Sequence, residues 1–90
     1  MDETDDSRTP PAEDAATESA VLQQLLALHP AQLTVAELIR EMGGEAPSFR
    51  ERDAIERAVR DLAGAGLVHD RDAFVTPTRA ALRCSELLNR

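Results

Sequence analysis

The chain has 90 residues, so it holds one domain at most, and its apolar side chains are committed to a single small core with little left to line a deep ligand pocket. Its net charge is −7, all ten basic residues are arginine, and the aromatic residues are two phenylalanines with no Trp or Tyr. A single cysteine excludes an internal disulfide, and no apolar run approaches the 18 residues of a membrane span.

Residues 1–18 hold seven acids (Asp2, Glu3, Asp5, Asp6, Glu13, Asp14 and Glu18) against Arg8, while residues 19–90 hold ten acids and nine arginines. The acidity therefore sits at the N-terminus, and the remainder is close to neutral. A segment so acidic and so poor in large apolar groups buries too little surface to offset its ordering entropy, which predicts a disordered tail over 1–18 and a folded domain over 19–90. The acidic start also lacks the apolar stretch of a signal peptide, and with the lone Cys84 this gives a cytoplasmic expectation.

A first helix is predicted from about Thr17 to His29. Val21, Leu22, Leu25, Leu26 and Leu28 form a stripe of roughly 140° at 100° per residue, and Pro30 ends it. Residues 31–33 read as an extended link. Thr34-Val35-Ala36-Glu37 has the spacing of a capping box, opening a second helix with Val35, Leu38, Ile39 and Met42 inward and Gly43-Gly44 as its stop.

The third helix has two competing starts, Ser48 with Glu51 and Asp53 with Glu56. A regular helix from 49 would put Phe49 in water beside Arg60. The expected start is therefore near 51–53, with Phe49 folded back onto the core. The inner face is Ile55, Ala58, Val59 and Leu62, and Gly64 or Gly66 ends the helix. Leu67-Val68-His69 and Ala73-Phe74-Val75 flank a polar Asp70-Arg71-Asp72 turn and predict a β-hairpin. Thr76 and Pro77 are read as N-cap and first residue of a last helix reaching about Leu88.

This order of elements resembles the winged helix-turn-helix domains of bacterial transcription regulators, and is most similar to their small members. The residues carrying the likeness are Leu33-Thr34-Val35-Ala36-Glu37-Leu38 entering helix two, Ala58-Val59-Arg60-Asp61-Leu62 leading to Gly66-Leu67-Val68, and Phe74-Val75-Thr76-Pro77-Thr78 leaving the hairpin. The resemblance implies a mainly α fold: a three-helix core, a small β-hairpin as the wing, and a C-terminal helix. It also implies that helix three enters the major groove of double-stranded DNA while the hairpin touches backbone or minor groove. The turn between helices two and three is longer than usual for the motif.

On that placement Arg57 and Arg60 face outward where base edges are read, Arg50 and Arg52 at the helix entrance reach phosphates, and Arg71 at the hairpin tip meets backbone or minor groove. Against it, Asp53–Arg57 and Glu56–Arg60 are acid-before-base pairs at i,i+4, a ladder that ordinarily just stabilises an exposed helix. The near-neutral domain is likewise a poor footprint for DNA. A protein–protein interaction module without DNA binding is therefore the alternative expectation.

The last helix has Leu82 on one side and Ala80, Ala81, Cys84, Leu87 and Leu88 on another, so a homodimer through the first and last helices is expected. No enzyme, cofactor, small-molecule substrate or metal is expected. Lys and Tyr are missing, Cys84 has no His near it in sequence, and His69, Asp70 and Asp72 are too bunched in a turn to surround an ion.

Overall fold

The computed structural model describes residues 11–44 and 46–89, and three of its helices start at capping side chains, Thr34, Ser48 and Thr78. Helix α1 spans Pro11–Leu28, strand β1 Leu33–Thr34, helix α2 Val35–Gly43, helix α3 Phe49–Gly64, strands β2 and β3 Val68–Arg71 and Phe74–Pro77, and helix α4 Arg79–Leu88. The fold is mainly α with a small antiparallel sheet of strand order β1-β3-β2.

Helix α1 begins earlier than the sequence implied. Residues 11–18, assigned above to the tail, form its first two turns, while residues 1–10 lie outside the described residues. Proline is tolerated at a first helical position because the N–H it lacks has no intrahelical partner there. Glu13 and Asp14 complement the positive end of the helix dipole, and the Thr17 hydroxyl donates to the Glu13 carbonyl at 3.0 Å. Val21 and Leu25 are fully buried, and Leu22 packs beside them.

The link after Pro30 is partly a strand. Leu33 pairs with Val75 and Thr34 with Phe74, adding an edge to the hairpin. Thr34 then serves as N-cap of α2. Its hydroxyl accepts from the Glu37 N–H at 3.1 Å, and Glu37 accepts from the Thr34 N–H at 2.9 Å. Both halves of the expected capping box are present.

For α3 the earlier of the two caps prevails. Ser48 and Glu51 form the same reciprocal pair at 3.1 and 2.9 Å, so the helix starts at Phe49 rather than at 51–53. Phe49 is consequently 85% exposed and not folded onto the core. Two satisfied backbone donors outweigh the burial of one ring that the core has no place for.

The far end of α3 closes as a Schellman motif. The Leu67 N–H donates to the Leu62 carbonyl at 2.9 Å and the Gly66 N–H to the Ala63 carbonyl at 3.1 Å, with Gly66 at φ +83°. Gly66 is thus the stop, and Gly64 is the last helical residue.

The hairpin turn is Asp72-Ala73, one residue later than the polar run suggested, with φ of +56° and +69°. Positive φ at both central residues matches the twist of the flanking strands. Arg71 therefore lies in β2 opposite Phe74 and not at the tip. Pro77 ends β3, opposite Val68, and Thr78 rather than Thr76 caps α4 through its hydroxyl, which accepts from the Ala81 N–H at 3.1 Å.

The core is aliphatic: Val21 and Leu25 of α1, Leu38 and Ile39 of α2, Ile55, Ala58, Val59 and Leu62 of α3, and Val68 and Val75 of the sheet. Helix α3 lies between α1 and α2 and delivers the chain into the hairpin, which fixes its remaining face toward solvent. No helix among the described residues is long and apolar enough to cross a membrane.

Candidate functional site

With Ile55, Ala58, Val59 and Leu62 turned inward, the opposite side of α3 is available to a partner. Phe49, Arg52, Asp53, Glu56 and Arg60 are exposed there, and the stripe mixes both charges with one aromatic ring. Arg50 is exposed beside it in the first turn.

Arg57 departs from its expected place. It is half-buried, its Nε lies 3.2 Å from Asp53 Oδ2, and its Nη1 lies 3.8 Å from Asp14 Oδ1. The Asp53 oxygen sits off the N–H direction, so Nε is in an ion pair without a hydrogen bond. Asp14 comes from the first turn of α1, which reaches α3 because α1 begins at Pro11. Arg57 is therefore held on the α1 flank between two carboxylates and does not share the middle of the outward face with Arg60.

The expected acid–base ladder is only half formed. Asp53–Arg57 is present, whereas among the described residues no carboxylate lies within ion-pair distance of Arg60, and the same holds for Arg50, Arg52 and Arg71. Among the described residues, four of the five expected arginines are thus exposed without such a partner, and the fifth is engaged.

The hairpin presents a second polar surface. Val68, Val75 and Pro77 are buried against the helices, while His69 and Arg71 of β2 stand opposite Thr76 and Phe74 of β3 on the other face. These four residues, with Gln32 and Asp72, line a shallow depression. Phe74 is 38% exposed in it. His69 and Asp70 are successive strand residues and point to opposite faces. Among the described residues no three His, Cys, Asp or Glu side chains stand close enough to hold a metal.

One residue escaped the sequence reading. Arg40, exposed on α2, lines a depression with Ala36, Ile39, Gly44, Pro47 and Arg52, so guanidinium groups from two helices border one concave surface. Arg40 is not among the expected site residues; it lies in the last turn of α2, where a basic side chain complements the helix dipole. Arg40 and Arg52 are twelve positions apart on different helices, so their sharing of one surface has no local signature in sequence.

Helix α4 buries only Ala81 and half-buries Leu82, while Ala80, Cys84, Leu87 and Leu88 are exposed. The division between two sides of this helix follows the sequence, except that Ala81 belongs with Leu82. Helix α1 has committed Val21 and Leu25 to the core.

Comparison with family models, curated proteins and solved structures gives no significant match. The assignment of function therefore rests on this geometry alone.

Proposed function

We propose that the chain is a winged-helix DNA-binding protein, a bacterial cytoplasmic transcription regulator and not an enzyme, in which α3 lies in the major groove and the β2–β3 hairpin contacts the backbone. The observation that carries the reading is the set of exposed arginines, Arg50, Arg52 and Arg60 on α3 and Arg71 on the hairpin, with no carboxylate at ion-pair distance among the described residues. The element order and the strand order β1-β3-β2 suit it, since a helix followed by a two-stranded hairpin offers one rod and one ribbon to adjacent grooves. Arg60 is assigned to base edges, and Arg50, Arg52 and Arg71 to phosphates.

The domain's near-neutral charge makes a single copy a weak binder. We therefore include a homodimer, with the exposed face of α4 as its contact and α1 alongside. Three phosphate contacts per subunit give a logarithmic salt slope near −5 for a dimer, at about −0.9 per phosphate neutralised. Selection from random duplex DNA at low salt, followed by salt titration of any enriched sequence, tests the proposal. A salt-dependent, two-fold-symmetric site is the expected result, and absence of enrichment overturns it.

A second reading, a protein-interaction module, is favoured by the engagement of Arg57 with Asp53 and Asp14. It predicts no salt-dependent binding to any duplex.

A further inference from the structure

The chain contains only two aromatic residues, and its core uses neither of them fully. Phe49 is the extreme case: it is 85% exposed at the first position of α3, on a helix start fixed by the Ser48–Glu51 capping box. The cap sets the direction of the first turn, so the ring is placed in solvent by backbone hydrogen bonds rather than by a frayed end. Eleven residues separate Phe49 from Arg60, which brings them within about 20° on the helix surface and about 16 Å apart along its axis. The same stretch of major groove, about five base pairs at 3.4 Å each, would face both side chains. Arg50 and Arg52 are exposed on either side of Glu51, so the same end of the helix carries two cations that suit phosphates.

We propose that Phe49 is a specificity-determining residue that packs on the C5-methyl group of a thymine. The inference rests on the DNA-binding reading above. Its chemistry follows from what the groove offers: among the base edges of the major groove, the thymine methyl is the one apolar group that projects from the edge, cytosine offering only a C–H at the same position, and the polar groups are hydrogen-bond donors or acceptors. A phenyl ring can satisfy none of those, so the thymine methyl is the contact that gains from removing the ring from water. A pocket on a partner protein would also accept the ring, but the flanking arginines and the alignment with Arg60 favour the duplex.

The test compares the enriched duplex with versions in which each thymine in turn is replaced by deoxyuridine, which keeps the pairing edge and lacks only the methyl. Affinity is read by fluorescence anisotropy with the full chain and with Phe49→Ala, whose urea midpoint is expected to match the parent because the ring is exposed. One thymine per half-site is expected to matter. Its replacement should weaken the parent by about fourfold, the value of roughly one buried methylene-sized group. Phe49→Ala should bind the thymine duplex about fourfold more weakly and ignore the replacement. Indifference of the parent to deoxyuridine at every position, or retention of the discrimination by Phe49→Ala, overturns this inference and leaves the DNA-binding reading standing. Failure of the parent to enrich any duplex overturns both.

Discussion

The Thr78 hydroxyl donates to the Gly66 carbonyl at 2.9 Å, joining the residue that caps α4 to the residue that ends α3. The same oxygen accepts from the Ala81 N–H at 3.1 Å, and the Thr78 N–H donates to the Leu67 carbonyl at 3.0 Å. One buried side chain thus closes the start of one helix against the end of another, across the whole hairpin. Thr78→Val keeps the shape and removes both hydroxyl bonds, and should cost about 2–3 kcal/mol: a lost N-cap plus a carbonyl left without its partner. Thr78→Ser should cost under about 1 kcal/mol. Urea unfolding of the two variants checks the contrast, and equal losses would show that the methyl rather than the hydroxyl matters.

Truncation distinguishes the acidic segment from the fold. Deleting residues 1–10, which contain no large apolar group beyond Met1, should leave Tm within a few degrees. Deleting 1–18 removes the first two turns of α1, the Asp14–Arg57 contact and the half-buried Thr17, and should lower Tm by distinctly more. Thermal unfolding followed by far-UV circular dichroism measures both.

The hairpin turn carries a correctable strain. Ala73 sits at φ +69°, where its Cβ crowds the following carbonyl at a cost of roughly 1–2 kcal/mol that glycine does not bear. Ala73→Gly should stabilise the protein by about 0.5–1 kcal/mol after the added flexibility of the unfolded chain is deducted. A lowered urea midpoint would contradict the turn geometry.

The two middle arginines of α3 should behave differently. Arg60→Ala is expected to relax sequence preference at one position, with a loss of about 1–3 kcal/mol if a guanine contact is removed. Arg57→Ala should change preference little, because Asp53 and Asp14 already hold its guanidinium. Asp14→Asn, which removes a half-buried pair partner at 3.8 Å, should alter stability by less than about 1 kcal/mol while strengthening duplex binding at low salt. Anisotropy titrations at two salt concentrations read all three, and Arg71→Ala in the same series should flatten the slope by about 2 for a dimer.

Self-association is read most directly by sedimentation. Leu88→Glu alters the most exposed leucine, 80% accessible, on a face that contributes nothing to the core. It should dissociate a micromolar dimer without changing the unfolding midpoint much. If the parent sediments as a monomer, the dimer is wrong. If a dimer forms, Cys84, exposed on the same face, is placed to cross-link with its symmetry mate under oxidation.

The parts legible in the sequence were those decided locally. The capping box of α2 needs only Thr34 and Glu37, and the inner faces of α2 and α3 follow from helical period, so both were readable without the rest of the chain. The errors came where two local solutions compete and a distant contact decides. The Thr-Pro pair points to Thr76 as the cap, but Thr78 is the one that reaches Gly66. Asp70-Arg71-Asp72 looks like a tip, but burial of Val68 and Val75 sets the register and moves the turn to Asp72-Ala73. The same holds for the site. Exposure of Arg60 follows from helical period, whereas Arg71 is exposed on a strand and not at the tip where the polar run put it. The capture of Arg57 by Asp14 joins residues 43 positions apart and leaves no trace in either segment.

A core cluster of Val, Leu, Ile and Ala has a spectroscopic consequence. Both phenylalanines are exposed, both histidines are exposed, and the chain has no other aromatic ring. The core cluster therefore contains no aromatic ring, and its methyl groups should resonate near their unperturbed frequencies in the free protein. Any methyl signal that moves sharply upfield when a ligand is added reports a ring that the ligand itself has brought, base or aromatic side chain alike.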